Sequence, residues 1–356
     1  MEKMLRRFIY LIFLLPVACI DPFEVGLETG EQLLTVEAVF TSQPGRQTVR
    51  LTRSDTYGSV FEGLIRPVRS ATVIVRDDLG NVVFLEEDQD NRGTYVTTTD
   101  FATVPGRSYT LQIQTVEGKV YSSFPEKVQA VPEISNLSVQ TTTVPVEGEI
   151  NPRSGVQLVV DIQDPAAENN FYFWKNGPAV YVLETRPDLF TPRPSDANPS
   201  REPQPKDCCF TCYRSEQIDN SGIFIANDDN FNGLSTKIVA GFVEDDGLRF
   251  VNTYRVDLRQ ISISQDAYRF LRLVKQQTEI SGSVFDPPPA NIRGNLVNLE
   301  DPEEVVLGYF IAGAETVRRI YIDKNDLTFQ QPKAIIPDDC RLVEGAQEDA
   351  PADWNP

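Results

Sequence analysis

From Leu33 onward the chain alternates apolar and polar residues in short runs, and this period of two constrains the fold more than any other feature. In "LLTVEAVF", Leu34, Val36, Ala38 and Phe40 fall on one side. "RQTVRLTRS" sets Val49 and Leu51 among polar neighbours, and "SYTLQIQTVEGKVYSS" repeats the pattern with Tyr109, Leu111 and Ile113 before a Glu117-Gly118 turn. "SATVIVRDDLGNVVFLEE" reads as two strands around Asp78-Leu79-Gly80-Asn81, a hairpin signature. Successive strands at this spacing predict an all-β fold.

Residues 33–131 are expected to form an immunoglobulin-like β-sandwich, without the Cys…Trp…Cys pattern of an antibody domain. Val131-Pro132 reads as a boundary. Residues 132–342 are expected to form a second, larger β-sandwich-like domain, and 343–356 a C-terminal tail. The length supports two domains, because single cores rarely grow beyond roughly 250–300 residues. Two segments of the second domain break the β rhythm. A Pro-rich insertion, 187–207, holds Pro187, Pro192, Pro194, Pro199, Pro203 and Pro205. At 264–279, "SQDAYRFLRLVKQQTE" places Ala267, Phe270, Leu271 and Val274 at helical spacing behind a capping Ser264, which predicts one amphipathic helix whose stripe joins the core.

The first residues carry an address. Lys3, Arg6 and Arg7 precede an apolar run that closes on Ala18-Cys19, the charged–apolar–small order of an export signal. The run is shorter than the roughly 20 residues of a spanning helix. The expectation is a lipoprotein signal at 1–18, acylation of Cys19, and a tether to residue 32; the rival is an ordinary secretory signal with an incidental cysteine. Two or three acyl chains would hold the protein at a membrane without a spanning helix.

Composition narrows the chemistry. The chain has no histidine and a net charge of −19. Ser-His-Asp and Cys-His catalysis and His-ligated metals are therefore excluded. Nucleic-acid binding, which draws on clustered Lys and Arg, is not expected. No pair of carboxylates stands out, so we expect no enzyme, no catalytic residue and no cofactor. "NDDNFNG" has Asp228, Asn230 and Asn232 at calcium-loop spacing, but the twelfth position is Val239 where a bidentate Glu belongs; a polar turn is the expected reading, and no metal site is assigned. Tyr172 and Trp174 in "NFYFWKN" offer either a sugar-stacking platform or, as more often on a strand, core residues.

Besides Cys19 there are four cysteines, Cys208, Cys209, Cys212 and Cys340. In an exported protein an even set points to disulfides; zinc binding by four thiolates is the rival, made awkward by the adjacency of Cys208 and Cys209. A bond between those neighbours is strained, so each is expected to pair with Cys212 or Cys340.

A set of phrases spans nearly the whole mature chain: "CIDPFE", "LLTVEAVFTSQPGRQTVRLTRSDTYG", "VDIQDPAAENNFYFW", "YRVDLRQISISQDAYRFL", "GSVFDPPPANIRGNL", "VLGYFIAGA" and "IPDDCRL" with a terminal "DW". Together they resemble a family of Bacteroidota lipoproteins known as domain of unknown function 4249. "ISQDAYRF" and "FDPPPANIRGN" are the most specific parts. The resemblance implies an outer-membrane location, a gene often beside that of a TonB-dependent transporter, and no established catalytic residues. Members often carry a second Cys shortly after the position of Cys340; none follows here, which favours a long-range bond over a local one.

The expected role is a non-enzymatic, lipid-anchored accessory or docking subunit whose partner is an outer-membrane β-barrel, such as a TonB-dependent transporter. The alternative is a stand-alone surface lipoprotein that binds carbohydrate or peptide. Partner contacts are expected on the second domain, from the Pro-rich insertion and from the stiff "FDPPPANIRGN" loop through Phe285, Pro287, Pro288, Pro289, Asn291 and Asn295.

Overall fold

The alternation seen in the sequence becomes burial. Leu34, Val36, Ala38 and Phe40 are all buried, as are Val49, Leu51, Val73, Val75, Leu111 and Ile113. The structure, a computed structural model, describes residues 32–54, 66–144, 152–166, 168–186, 209–218, 222–279, 292–336 and 339–356.

The first nine strands are β1 (Leu34–Thr41), β2 (Thr48–Arg53), β3 (Arg66–Pro67), β4 (Thr72–Asp77), β5 (Val82–Glu87), β6 (Thr94–Thr97), β7 (Ser108–Gln114), β8 (Val120–Ser123) and β9 (Glu126–Lys127). The β4–β5 turn falls where the hairpin signature predicts it. Gly80 takes φ +86°, and the Asp77 carboxylate accepts from the amides of Leu79 and Asn81 at 3.0 and 2.9 Å. Then come β10 (Ile134–Val144), β11 (Arg153–Gln163), β12 (Phe171–Glu184), β13 (Thr211–Gln217), β14 (Phe224–Asn227), β15 (Ser235–Glu244) and β16 (Tyr254–Ser262). Helix α1 (Gln265–Thr278) follows, then β17 (Leu296–Asn298), β18 (Leu307–Gly313), β19 (Glu315–Ile322) and β20 (Ala346–Gln347). Among the described residues the fold is all-β and sandwich-like, with one α-helix, as the periodicity predicts.

Three sheets form. The largest runs β17-β8-β7-β4-β5-β6-β2-β1-β18, with β3 beside β2 and β9 beside β7; the second is β10-β11-β15; the third is β19-β16-β12-β13-β20, with β14 beside β12. The expected boundary at 131/132 does not divide the described residues into two bodies: 33–54 and 65–356 make one compact unit. The reason is that β17 and β18 return from late in the chain to the first sheet, where β18 lies parallel to β1 with Ala38 opposite Phe310. Only Ala314 separates β18 from β19, so one stretch of chain edges the first sheet and then the third. At this junction Gly313 meets β16 so closely that an added Cβ would sit 2.1 Å from the Ser262 carbonyl oxygen.

Two main cores follow. Phe310 and Ala312 of β18 complete the first, with Val36, Phe40, Leu51 and Leu111. The second lies between the other two sheets and holds Tyr172, Trp174, Tyr181, Leu158, Val256 and Leu258. Tyr172 and Trp174 are thus core residues, both fully buried, with their polar ends satisfied by Asp164 at 2.5 Å and Gln260 at 2.9 Å. Burying side chains of this size contributes roughly 1.5–3 kcal/mol each.

A smaller third core seats the helix. Ser264 caps α1 by accepting from the Ala267 amide at 3.1 Å. Ala267 and Leu271 are buried against Phe171, Phe173, Ile261 and Ile311. No described helix is long and apolar enough to cross a membrane.

The expected C-terminal tail is instead strapped to the third sheet. β20 pairs with β13. Trp354 stands edge-on to Tyr213 and Tyr321, at 5.4 and 5.5 Å, with the Arg255 guanidinium over its ring. Asp353 bonds Arg255 at 2.8 Å and Arg319 at 2.9 Å.

Candidate functional site

The strand β12 begins Phe171-Tyr172-Phe173-Trp174-Lys175. Alternation sends Tyr172 and Trp174 into the second core and Phe171, Phe173 and Lys175 to the other face, toward the helix. Phe171 and Phe173 are buried there, so Lys175 occupies the next place in an apolar row.

A groove opens at this point, with a volume of about 550 Å³. Its walls come from four elements, no two of them consecutive in sequence: β1, β18, β12 and α1 from Phe270 onward. Val39, Phe173, Phe270, Leu271, Val274 and Ile311 supply apolar lining. The outward faces of β1 and β18 form one wall because their inward faces are committed to the first core. Gly308 shapes the floor. It takes φ +80°, and a Cβ there would lie 2.0 Å from the Val36 carbonyl oxygen.

The charged residues among the described lining are Lys175 and Glu37. Glu37 is exposed on β1, and Lys175 is half-buried on β12. Lys175 faces Arg259 across the β12–β16 ladder. Arg259 is committed: its Nε and Nη2 donate to the two Glu315 carboxylate oxygens at 2.6 and 2.7 Å. Lys175 forms no ion pair within 4.0 Å among the described residues. Burial, and then the Arg259 guanidinium, hold its ammonium below the usual lysine pKa, against the pull of Glu37 and Glu315. The Tyr309 ring lines the groove against Phe270, at 4.9 Å, but its hydroxyl turns away to donate to Glu126 at 2.8 Å.

The sequence reading did not single out Lys175. Its signal was present in the alternation of Phe171, Phe173 and Lys175, since a lysine extending an aromatic row on a strand departs from the pattern of a covered face.

The residues that the sequence did single out are placed as follows. Cys19, Cys208, the insertion 187–207, and Phe285, Pro287, Pro288, Pro289 and Asn291 lie outside the described residues. Asn295 is described, and it is not at a partner surface. It is 4% exposed, its amide donates to Glu126 and to the Phe310 carbonyl, and its oxygen accepts from the Phe310 amide. It stitches the entry of β17 to β18, and a buried amide needs such partners.

Cys212 and Cys340 form a disulfide, with Cα atoms 5.8 Å apart and 128 residues between them in sequence. The bond is long-range, as the resemblance implies. Cys209 is also disulfide-bonded, yet to neither of these two, so its expected pairing with Cys212 or Cys340 is overturned. The register decides this: Cys212 points inward from β13 to meet Cys340, and Cys209 precedes the strand in a left-handed conformation, φ 72°. Asp228 anchors a polar turn, accepting from the Asn170 amide at 2.9 Å and the Asn232 side chain at 3.2 Å. No group of three or more metal-ligating side chains occurs among the described residues.

These features define an all-β, disulfide-stapled protein with helix α1 over an apolar groove. The family model described as Domain of unknown function (DUF4249) matches residues 20–319, and the chain belongs to that family. No curated protein and no solved structure matches it.

Proposed function

We propose that this protein acts by binding and not by catalysis, as a lipid-anchored accessory or docking subunit of an outer-membrane complex such as a TonB-dependent transporter. The address rests on the export signal ending at Cys19. The docking role rests on one observation about the Pro-rich insertion: the described residues at its two ends are clamped together. The Thr185 amide donates to the Phe210 carbonyl at 2.9 Å, Arg186 bonds the Ile336 carbonyl at 2.8 Å, and Cys212 is stapled to Cys340. A long Pro-rich segment presented from a fixed base loses little entropy on binding a partner.

The alternative is a stand-alone surface lipoprotein that binds carbohydrate or peptide; its carbohydrate form is less favoured, because Tyr172 and Trp174, the expected stacking platform, are buried.

Affinity purification from detergent-solubilised outer membranes tests the proposal. The expected result is a stoichiometric β-barrel partner with the wild type, lost on deletion of residues 188–204. That deletion should leave the fold intact, because the Thr185–Phe210 contact already closes the loop base. Cys19→Ser should release the protein from membranes or stall its processing. A membrane-bound protein recovered alone, or a complex indifferent to the deletion, contradicts the docking role.

A further inference from the structure

We infer that the groove beneath α1 is a binding site for a small molecule with an apolar body and one carboxylate, and that the Lys175 ammonium holds the carboxylate. The inference goes beyond the docking role and does not depend on it.

Three observations converge. The first is shape: a volume of about 550 Å³ lies within the range of roughly 300–1,000 Å³ typical of small-molecule sites. The second is chemistry. The described walls are mostly aliphatic and aromatic, with few polar groups, which is the usual composition of such a site. The Tyr309 hydroxyl is already engaged by Glu126 and offers nothing to a ligand.

The third observation is charge. A half-buried ammonium in apolar surroundings is unfavourable unless an anion accompanies it. Two carboxylates pull on Lys175, and neither forms an ion pair with it: both Glu315 oxygens are taken by Arg259, and Glu37 is exposed on β1. If the groove served only to cover the third core, a methionine at 175 would fill the same space without that penalty. A bound carboxylate supplies the missing charge, and its apolar body covers Phe173, Val274 and Ile311. Glu37, the other charged residue of the lining, disfavours a second negative group and so restricts the site to monocarboxylates.

Calorimetric titration of the full chain with octanoate and with octan-1-ol, which share the alkyl body, tests this. The wild type should bind octanoate roughly tenfold or more tightly than the alcohol, the size expected for a charge-assisted contact. Lys175→Met should lose that preference while melting no lower than the wild type. Val274→Trp, which fills the groove from the helix, should lose both ligands. Glu37→Gln should bind octanoate at least as well as the wild type. A measurement on the unmutated protein stands beside these: octanoate should protect Lys175 from reductive methylation, read by peptide mass spectrometry. Absence of octanoate binding to the wild type at millimolar concentration, equal binding of acid and alcohol, undiminished octanoate binding by Lys175→Met, or a Lys175 methylated equally with and without octanoate would each overturn the assignment.

Discussion

Arg259 grips Glu315 through two parallel hydrogen bonds, 2.6 and 2.7 Å long, between the neighbouring strands β16 and β19. The Glu315 side chain is 1% exposed and the Arg259 side chain 32%. Such forks are strong because geometry and charge agree. The pair also leaves Glu315 without a direct bond to Lys175, which lies opposite Arg259 on β12.

Breaking the pair should therefore act on two cations at once. Glu315→Gln leaves Arg259 and Lys175 side by side without their carboxylate, and should cost on the order of 1–3 kcal/mol. Adding Lys175→Met should restore part of that loss. A double-mutant cycle by urea denaturation reads the coupling; strictly additive effects would show that Lys175 is not coupled to Glu315.

The Cys212–Cys340 bond, with a sequence separation of 128, closes most of the second half of the chain. Loop-closure entropy puts its contribution at about 5 kcal/mol. The Cys212→Ala/Cys340→Ala double variant should lose stability of that order in equilibrium denaturation. It should also loosen β20, which is tied beside the bond, and limited proteolysis near Ala346 would reveal it. An unchanged unfolding midpoint would show that the bond adds nothing to sheet packing.

Trp354 and Asp353 should matter although they stand at the end of the sequence. Trp354→Ala removes two edge-on aromatic contacts and the cation–π contact with Arg255, for a cost of about 1–3 kcal/mol. The hydrogen bond from Arg255, with that from Arg319, holds the Asp353 carboxyl below the usual range. A depressed carboxylate stabilises the fold above its unfolded pKa, and the benefit is lost as pH falls through the folded value. Asp353→Asn should accordingly lower the melting temperature at pH 7 and converge with the wild type in acid.

Glu126 has the opposite sign. It is 3% exposed and accepts from Asn295 at 3.1 Å and Tyr309 at 2.8 Å. Burial raises its carboxyl above the usual range, against those hydrogen bonds. A raised carboxyl contributes stability that is fully present below the unfolded pKa and lost as pH rises through the folded one. Glu126→Gln keeps an acceptor for both partners and removes the buried charge. Its melting temperature relative to the wild type should be highest at neutral pH and fall toward pH 4. A gap that does not change with pH would show that the carboxyl is not the titrating group.

Much of the fold was legible from local pattern. The strands of the first sheet, the Asp78–Asn81 hairpin and the helix at 264–279 follow from periods of two and 3.6 and from turn and cap chemistry, which act over a few residues. The core placement of Tyr172 and Trp174 follows from the same alternation. The boundary at 131/132 did not survive, because the pairing of β18 with β1 joins residues more than 260 apart and leaves no trace in the local pattern of either strand.

The sequence by itself determined the strand faces, the helix and its cap and the absence of histidine chemistry, since each depends only on residue types or on neighbouring residues. The tertiary structure alone decided that Cys212 meets Cys340, that Asn295 is buried, that the chain end is clasped, and that Lys175 lies in an apolar groove beside a Glu315 already engaged by Arg259. Each of these is set by which distant strands come to lie side by side. That choice is made by the summed burial of three cores, a property of the whole chain that no short window of it contains.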